Sequence, residues 1–109
     1  MKIKINFIED ERKFQSPELQ GSVVEPMLLL CINGSSFYKI ASSLGESLLI
    51  SANKIKRYLF YLIDYDLVSY NGQKRVFTIE IGGFKILSVI DKEKQEEKTC
   101  IEDIVITIE

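Results

Sequence analysis

Asn53, Lys54 and Arg57 fall within a single helical turn and a half, with Tyr61 one turn further on. Side chains of these types can donate to base edges and phosphates: Arg and Asn make paired contacts to guanine and adenine, and Lys meets phosphate or guanine. They lie in the stretch Ile50 to Tyr70, ISANKIKRYLFYLIDYDLVSY. From Ser51 it runs about four turns without Gly or Pro, and Ser51 is suited to accept a hydrogen bond from the amides at the helix start. On a wheel, Ala52, Ile55, Leu59, Leu62 and Ile63 form an apolar stripe, and Asn53, Lys54, Arg57 and Tyr61 form the opposite face. An apolar back with such a front suits a helix lying in a DNA major groove. A plain solvated amphipathic helix has the same wheel, so the rest of the chain has to separate the two.

Other chemistries find little support. The chain contains no histidine, and Cys31 and Cys100 have no paired metal-ligand spacing, which excludes a histidine-dependent centre and a zinc site. No nucleophile–base pair or glycine-rich phosphate loop is present, so the sequence does not read as an enzyme, and no cofactor is expected. Cys31, in an apolar helix, reads as a small core residue, with the thiol reduced in a cytoplasm.

The 109 residues predict one domain with a modest core. At 46% hydrophobic and 28% charged, the balance is that of an ordinary globular chain. The longest apolar run, Met27 to Ile32, is far short of a membrane span, and no signal-peptide pattern opens the chain, so a cytoplasmic location is expected. Net charge is −2, unhelpful for phosphate binding, but its distribution is uneven. Phe37 to Arg75 holds six basic residues against three acids, a local +3, whereas Val76 onward sums to −4.

The elements that must hold this face follow in order. Met1 to Ile8 alternates Ile3, Ile5 and Phe7 against polar residues, a half-buried strand. After the charged link Glu9 to Lys13, Ser16-Pro17-Glu18 suggests a short helical turn. Ser22-Val23-Val24-Glu25 has capping-box spacing ahead of an apolar helix from about Val23 to Ile32, with Pro26 expected in its first turn. Asn33-Gly34 stops it. Ser35 or Ser36 caps the next helix, carried by Phe37, Ile40, Ala41 and Leu44, and Gly45 to Leu49 reads as a turn into the Ser51 helix.

Two short helices and a longer amphipathic one make a helix-turn-helix arrangement. A hairpin follows: Leu67 to Tyr70 and Arg75 to Ile79, joined by Asn71-Gly72-Gln73-Lys74, where both residues of Asn-Gly accept positive φ. Lys74 and Arg75 at its tip are candidates for phosphate or the minor groove. Basic hairpin tips also occur for solubility. Lys56 on the helix flank and Lys39 in the second helix are phosphate candidates. Gly82-Gly83 breaks the strand, and Phe84, Leu87 and Ile90, with Ile86 nearby, give a further helix ending in the run DKEKQEEK. Cys100 to Glu109 is a terminal strand, a natural partner for the first.

The order helix, helix, helix, hairpin, helix is that of a winged helix. From about Val23 to Ile90 the chain resembles the small archaeal winged-helix proteins of the predicted transcriptional regulator type, found in archaea and their viruses. The residues carrying this are Ile50-Ser51, Arg57-Tyr58-Leu59 and Leu62 before Leu67-Val68. The phrase Phe77-Thr78-Ile79-Glu80-Ile81-Gly82-Gly83, followed by Ile86-Leu87, is similar to the family's aromatic-x-Ile-Thr-x-x-Gly ending, except that Glu80 stands where threonine is usual. The glutamate would favour the next helix N-terminus by charge. The tail is too short for the long coiled coil through which some relatives dimerise.

The expectation is therefore an α+β fold: a winged helix-turn-helix core over 22–90, an N-terminal strand and link over 1–21, and a charged segment and strand over 91–109. The resemblance implies a DNA-binding regulator of transcription, with a recognition helix at 51–65 in the major groove and a wing at 67–79 on the backbone or minor groove. Its candidate contacts are Ser51, Asn53, Lys54, Lys56, Arg57, Tyr61, Lys39, Lys74 and Arg75, and no ligand site is signalled. A homodimer is expected, through the terminal strands or through Phe60 and Tyr61, which the wheel turns away from the core. The alternative is a winged helix used for protein–protein binding without DNA.

Overall fold

The computed structural model describes residues 2–5 and 18–108. The order is β1 (Lys2–Ile5), β2 (Glu18–Gln20), α1 (Gly21–Cys31), α2 (Phe37–Leu48), α3 (Ala52–Asp64), β3 (Val68–Asn71), β4 (Val76–Ile79), α4 (Ile81–Gln95) and β5 (Val105–Ile108). A short 3-10 turn, Ile101–Asp103, precedes β5. The fold is mixed α+β, with two small sheets. Among the described residues no helix is long and apolar enough to cross a membrane.

The alternation of Ile104 and Ile106 against Val105 and Thr107 makes β5 a strand with one buried side, Ile104 and Ile106 being fully covered. β5 lies at the centre of a three-stranded sheet, parallel to β1 and antiparallel to β2. The expected pairing of the chain's two ends thus occurs within one chain. Glu18 opens β2 rather than a helical turn, and Leu19 opposite Ile106 is buried. Ser16, Pro17, the link Glu9 to Lys13, and the outer residues of the first predicted strand lie outside the described residues.

α1 starts at Gly21, two residues before the predicted helix start at Val23, directly off β2. The Gly21 N–H donates to the Ile104 carbonyl at 2.7 Å, so one of the orphan amides of the first turn is met by the terminal sheet. Ser22 and Glu25 consequently form no cap; Glu25 instead accepts from Lys94 Nζ of α4 at 2.9 and 3.1 Å. Pro26 lies inside the helix, past the first turn, where the amide it lacks would have bonded the Ser22 carbonyl. Asn33-Gly34 ends α1 as expected, with Gly34 at φ 84°.

Ser35 is buried and tied twice. Its Oγ donates to the Leu30 carbonyl at 2.6 Å, and its backbone exchanges hydrogen bonds with Phe77 at 2.7 and 3.0 Å. Ser36, the next residue, caps α2 by accepting from the Lys39 amide at 3.1 Å. α2 runs through the stretch expected to turn. Gly45 to Leu48 remain helical because Leu49, not Gly45, takes the left-handed conformation that ends the helix (φ 57°).

The core collects Val24, Met27 and Leu28 of α1, Ile40 and Leu44 of α2, Ile55, Leu59 and Leu62 of α3, and Ile86 and Ile90 of α4. Cys31 is buried among them, and burial pushes its thiol up to about 11. Gly82-Gly83 does not break a strand; both glycines lie in the first turn of α4. A Cβ on Gly83 would stand 2.5 Å from the Leu67 carbonyl oxygen, so α4 reaches this close to the β3 entry only with glycine there. That rotation faces Gly83, Ile86 and Ile90 inward and leaves Phe84, an expected core residue, about half exposed.

Candidate functional site

α3 is capped as its sequence predicts: Ser51 Oγ accepts from the Lys54 amide at 3.1 Å. Its inner side is Ile55, Tyr58, Leu59 and Leu62. Ala52 is exposed, because the buried stripe engages only from Ile55, and Ile63 is half-buried. Tyr58 is the core residue that the wheel did not single out. Its ring is buried and its hydroxyl accepts from the Gln20 amide at 2.9 Å, anchoring α3 to β2. A polar atom at the end of an aromatic ring lets tyrosine fill a core and end on a backbone amide.

The outward side carries Ser51, Asn53, Lys56, Arg57 and Phe60, all exposed. Lys54 is half-buried and turns back toward β2, its Nζ 3.3 Å from Gln20 Oε1. Tyr61 is half-buried against the core, contrary to the wheel: at this end of α3 the core wraps round far enough to cover it. Phe60 does stand outside, 62% exposed. Lys39, in the first turn of α2, is exposed.

The hairpin pairs Val68–Asn71 with Val76–Ile79, Asn71 opposite Val76. Its turn is not built on positive φ at Asn-Gly. Asn71 Oδ1 accepts from the amides of Gln73 and Lys74 at 3.0 and 3.1 Å, and the left-handed residue is Arg75, at φ 58°. Arg75 therefore belongs to the loop, not to the strand. A side-chain acceptor that mimics a backbone turn lets asparagine close a longer loop than the two-residue one expected. Lys74 and Arg75 are both exposed. The Ser35–Phe77 backbone pairing clamps β4 to the α1–α2 junction, which fixes the hairpin relative to the helices.

Between α3, the start of α2 and the hairpin lies a groove of about 480 Å³. Its walls are Phe37, Leu59, Phe60, Ile63, Tyr70 and Phe77. The Tyr70 and Phe77 rings are 4.7 Å apart, tilted by 48°. Lys56 and Arg75, from helix and hairpin, line the same groove. The structure thus brings two of the predicted residues together. Asn53 and Arg57 share the outer side of α3 outside the groove, and Lys74 and Lys39 stand on other elements. Among the described residues no carboxylate pairs with Lys39, Lys56, Arg57, Lys74 or Arg75; the ion pair that does form joins Lys94 and Glu25. Also among the described residues, no three Cys, Asp or Glu side chains gather into a metal-binding group.

No protein-family model matches the chain, and no curated protein matches it.

Proposed function

We propose that this chain is a winged helix-turn-helix regulator that binds double-stranded DNA in a sequence-specific way. In this reading α3 enters the major groove, and the β3–β4 hairpin is a wing on the backbone or in the minor groove. The observation that carries it is the set of unpaired cations. In a chain of net charge −2, Lys56 and Arg57 of α3 and Lys74 and Arg75 of the hairpin stand in water with no carboxylate partner among the described residues. Unpaired cations on two adjacent elements suit a polyanion better than they suit stability, to which surface charges add little.

Each residue then has a role. Asn53 and Arg57 read base edges. Lys56, Lys74, Arg75 and Lys39 meet phosphates. Ser51 holds the first turn, and Lys54 reaches phosphate only by releasing Gln20. Tyr61 contributes through packing rather than direct contact. The chain acts as a homodimer on a two-fold site. β5 is flanked on both edges within the chain, so pairing across the axis would use the outer edge of β1 or β2.

The test is to enrich duplexes from a random pool and follow binding by fluorescence anisotropy over a salt series. The expected log K falls linearly with log salt, by about 0.9 per phosphate contacted. Arg57→Ala should cost about 1–3 kcal/mol on the enriched site. Sedimentation of the same samples at micromolar concentration reads the dimer, and a monomer alone removes that part. A second reading, a winged helix that binds protein, is favoured by two aromatic rings held in water, Tyr38 (81% exposed) and Phe60. Absence of any duplex binding at low salt would select it.

A further inference from the structure

The groove between α3 and the hairpin gathers exposed and half-buried apolar side chains from separate elements around two cations. Phe60 is 62% exposed and Tyr70 49%, and Phe37, Ile63 and Phe77 are only half-buried beside them. The rings come from three elements, α2, α3 and the hairpin, so the surface is concave rather than a scatter of single residues. Its volume, about 480 Å³, falls in the range of sites that take one small organic molecule. Two cations, Lys56 and Arg75, line it, neither has a carboxylate partner among the described residues, and no lining residue is acidic.

We propose that this groove binds a small amphiphilic anion, an aromatic or alkyl body carrying one carboxylate or similar head group. The body lies against Phe60, Ile63, Tyr70 and Phe77, and the head group takes Lys56 and Arg75. Size suits a small molecule: a space of about 480 Å³ holds one compact organic body. Charge decides for an anion: a neutral ligand would leave both cations without a partner, whereas a carboxylate accepts from both. Arg75 is suited to this because its left-handed backbone is fixed by the Asn71 turn, which limits the positions its side chain can sweep.

Binding can be read on the full chain without DNA, by titrating ¹⁵N-labelled protein with 2-naphthoate and, separately, with the neutral 2-naphthamide. The expected result is saturable shifts concentrated at the amides of Phe60, Ile63, Tyr70 and Phe77, with the acid bound about five- to tenfold tighter than the amide. In the double variant Lys56→Gln/Arg75→Gln, whose sites are exposed, the acid should lose that advantage while the amide binds as before. Ile63→Phe, which fills the groove, should abolish both. Unsaturable or dispersed shifts overturn the proposal, as does equal affinity for acid and amide. Groove shifts that depend on protein concentration alone would assign the surface to a second copy and equally overturn it. One consequence rests on the DNA reading: an anion on Lys56 and Arg75 competes with phosphate, so naphthoate should weaken duplex binding. Because the titration itself contains no DNA, failure of the groove and failure of that reading remain distinguishable.

Discussion

α2 and α3 begin alike and differ on their outer sides. Each is capped by a serine hydroxyl that accepts from the third amide onward at 3.1 Å. Each buries an Ile/Leu stripe, Ile40 and Leu44 in one, Ile55, Leu59 and Leu62 in the other. Their outer sides diverge. α2 shows Tyr38, Lys39, Ser42, Ser43, Glu46 and Ser47, a side with a single cation, and Ser47 Oγ donates to its own helix at the Ser43 carbonyl. α3 shows Asn53, Lys56, Arg57 and Phe60, and no described hydrogen bond or ion pair within the chain uses these side chains. The inner sides are dictated by the core and so are similar. The outer sides are not dictated by the fold. A function is to be sought on the one that sets adjacent cations, Lys56 and Arg57, beside those of the hairpin with no carboxylate partner among the described residues.

The largest effects should come from the inner stripes, and should be equal for the two helices. Leu44→Ala and Leu62→Ala each remove a fully buried side chain and should destabilise by about 2–5 kcal/mol, read by urea denaturation with unchanged m. Arg57→Ala should stay within about 0.5 kcal/mol of the parent. If Arg57→Ala destabilised as much as Leu62→Ala, the outer side of α3 would be part of the fold and the contrast between the helices would vanish.

That inner and outer sides could be told apart in the sequence reflects periodicity, which reports burial along one helix. Ile55, Leu59, Leu62, Asn53, Arg57 and Phe60 were all legible this way, Ser51 was legible from its capping chemistry, and the alternation of Ile104 and Ile106 marked β5. Periodicity fails where a partner from far along the chain decides. Gly21 bonds Ile104 and Glu25 pairs with Lys94, so the predicted capping box at Ser22 was never free to form. Tyr58 is buried because Gln20 supplies an amide for its hydroxyl. Phe84 is exposed because Gly83 sets the rotation of α4 against Leu67. The groove had no signature in the sequence: its walls are spread from Phe37 to Phe77 and meet only because Ser35 pairs with Phe77.

A smaller effect separates the two caps. Ser36→Ala and Ser51→Ala should each cost about 1 kcal/mol of stability, since each removes the acceptor of one first-turn amide. They should differ on duplex DNA. Fraying the first turn of α3 displaces Asn53, so Ser51→Ala should also weaken binding to the enriched site, while Ser36→Ala leaves it nearly unchanged. Equal losses of binding in both would mean that general destabilisation, not the α3 surface, sets affinity.

The smallest effect is the most discriminating. Lys39 and Lys56 are exposed lysines on the outer sides of the two helices, and replacing either with alanine should leave stability within about 0.5 kcal/mol. If each meets a phosphate, each substitution should reduce the slope of log K against log salt by about 0.9, with no change in which sequences are preferred. Lys56 lies on the side chain stripe next to Arg57 and beside the hairpin, so its loss should show fully. Lys39 stands at the α2 N-terminus, beside the Ser36 cap; a slope unchanged in Lys39→Ala would confine the interface to α3 and the hairpin and assign α2 to the fold alone.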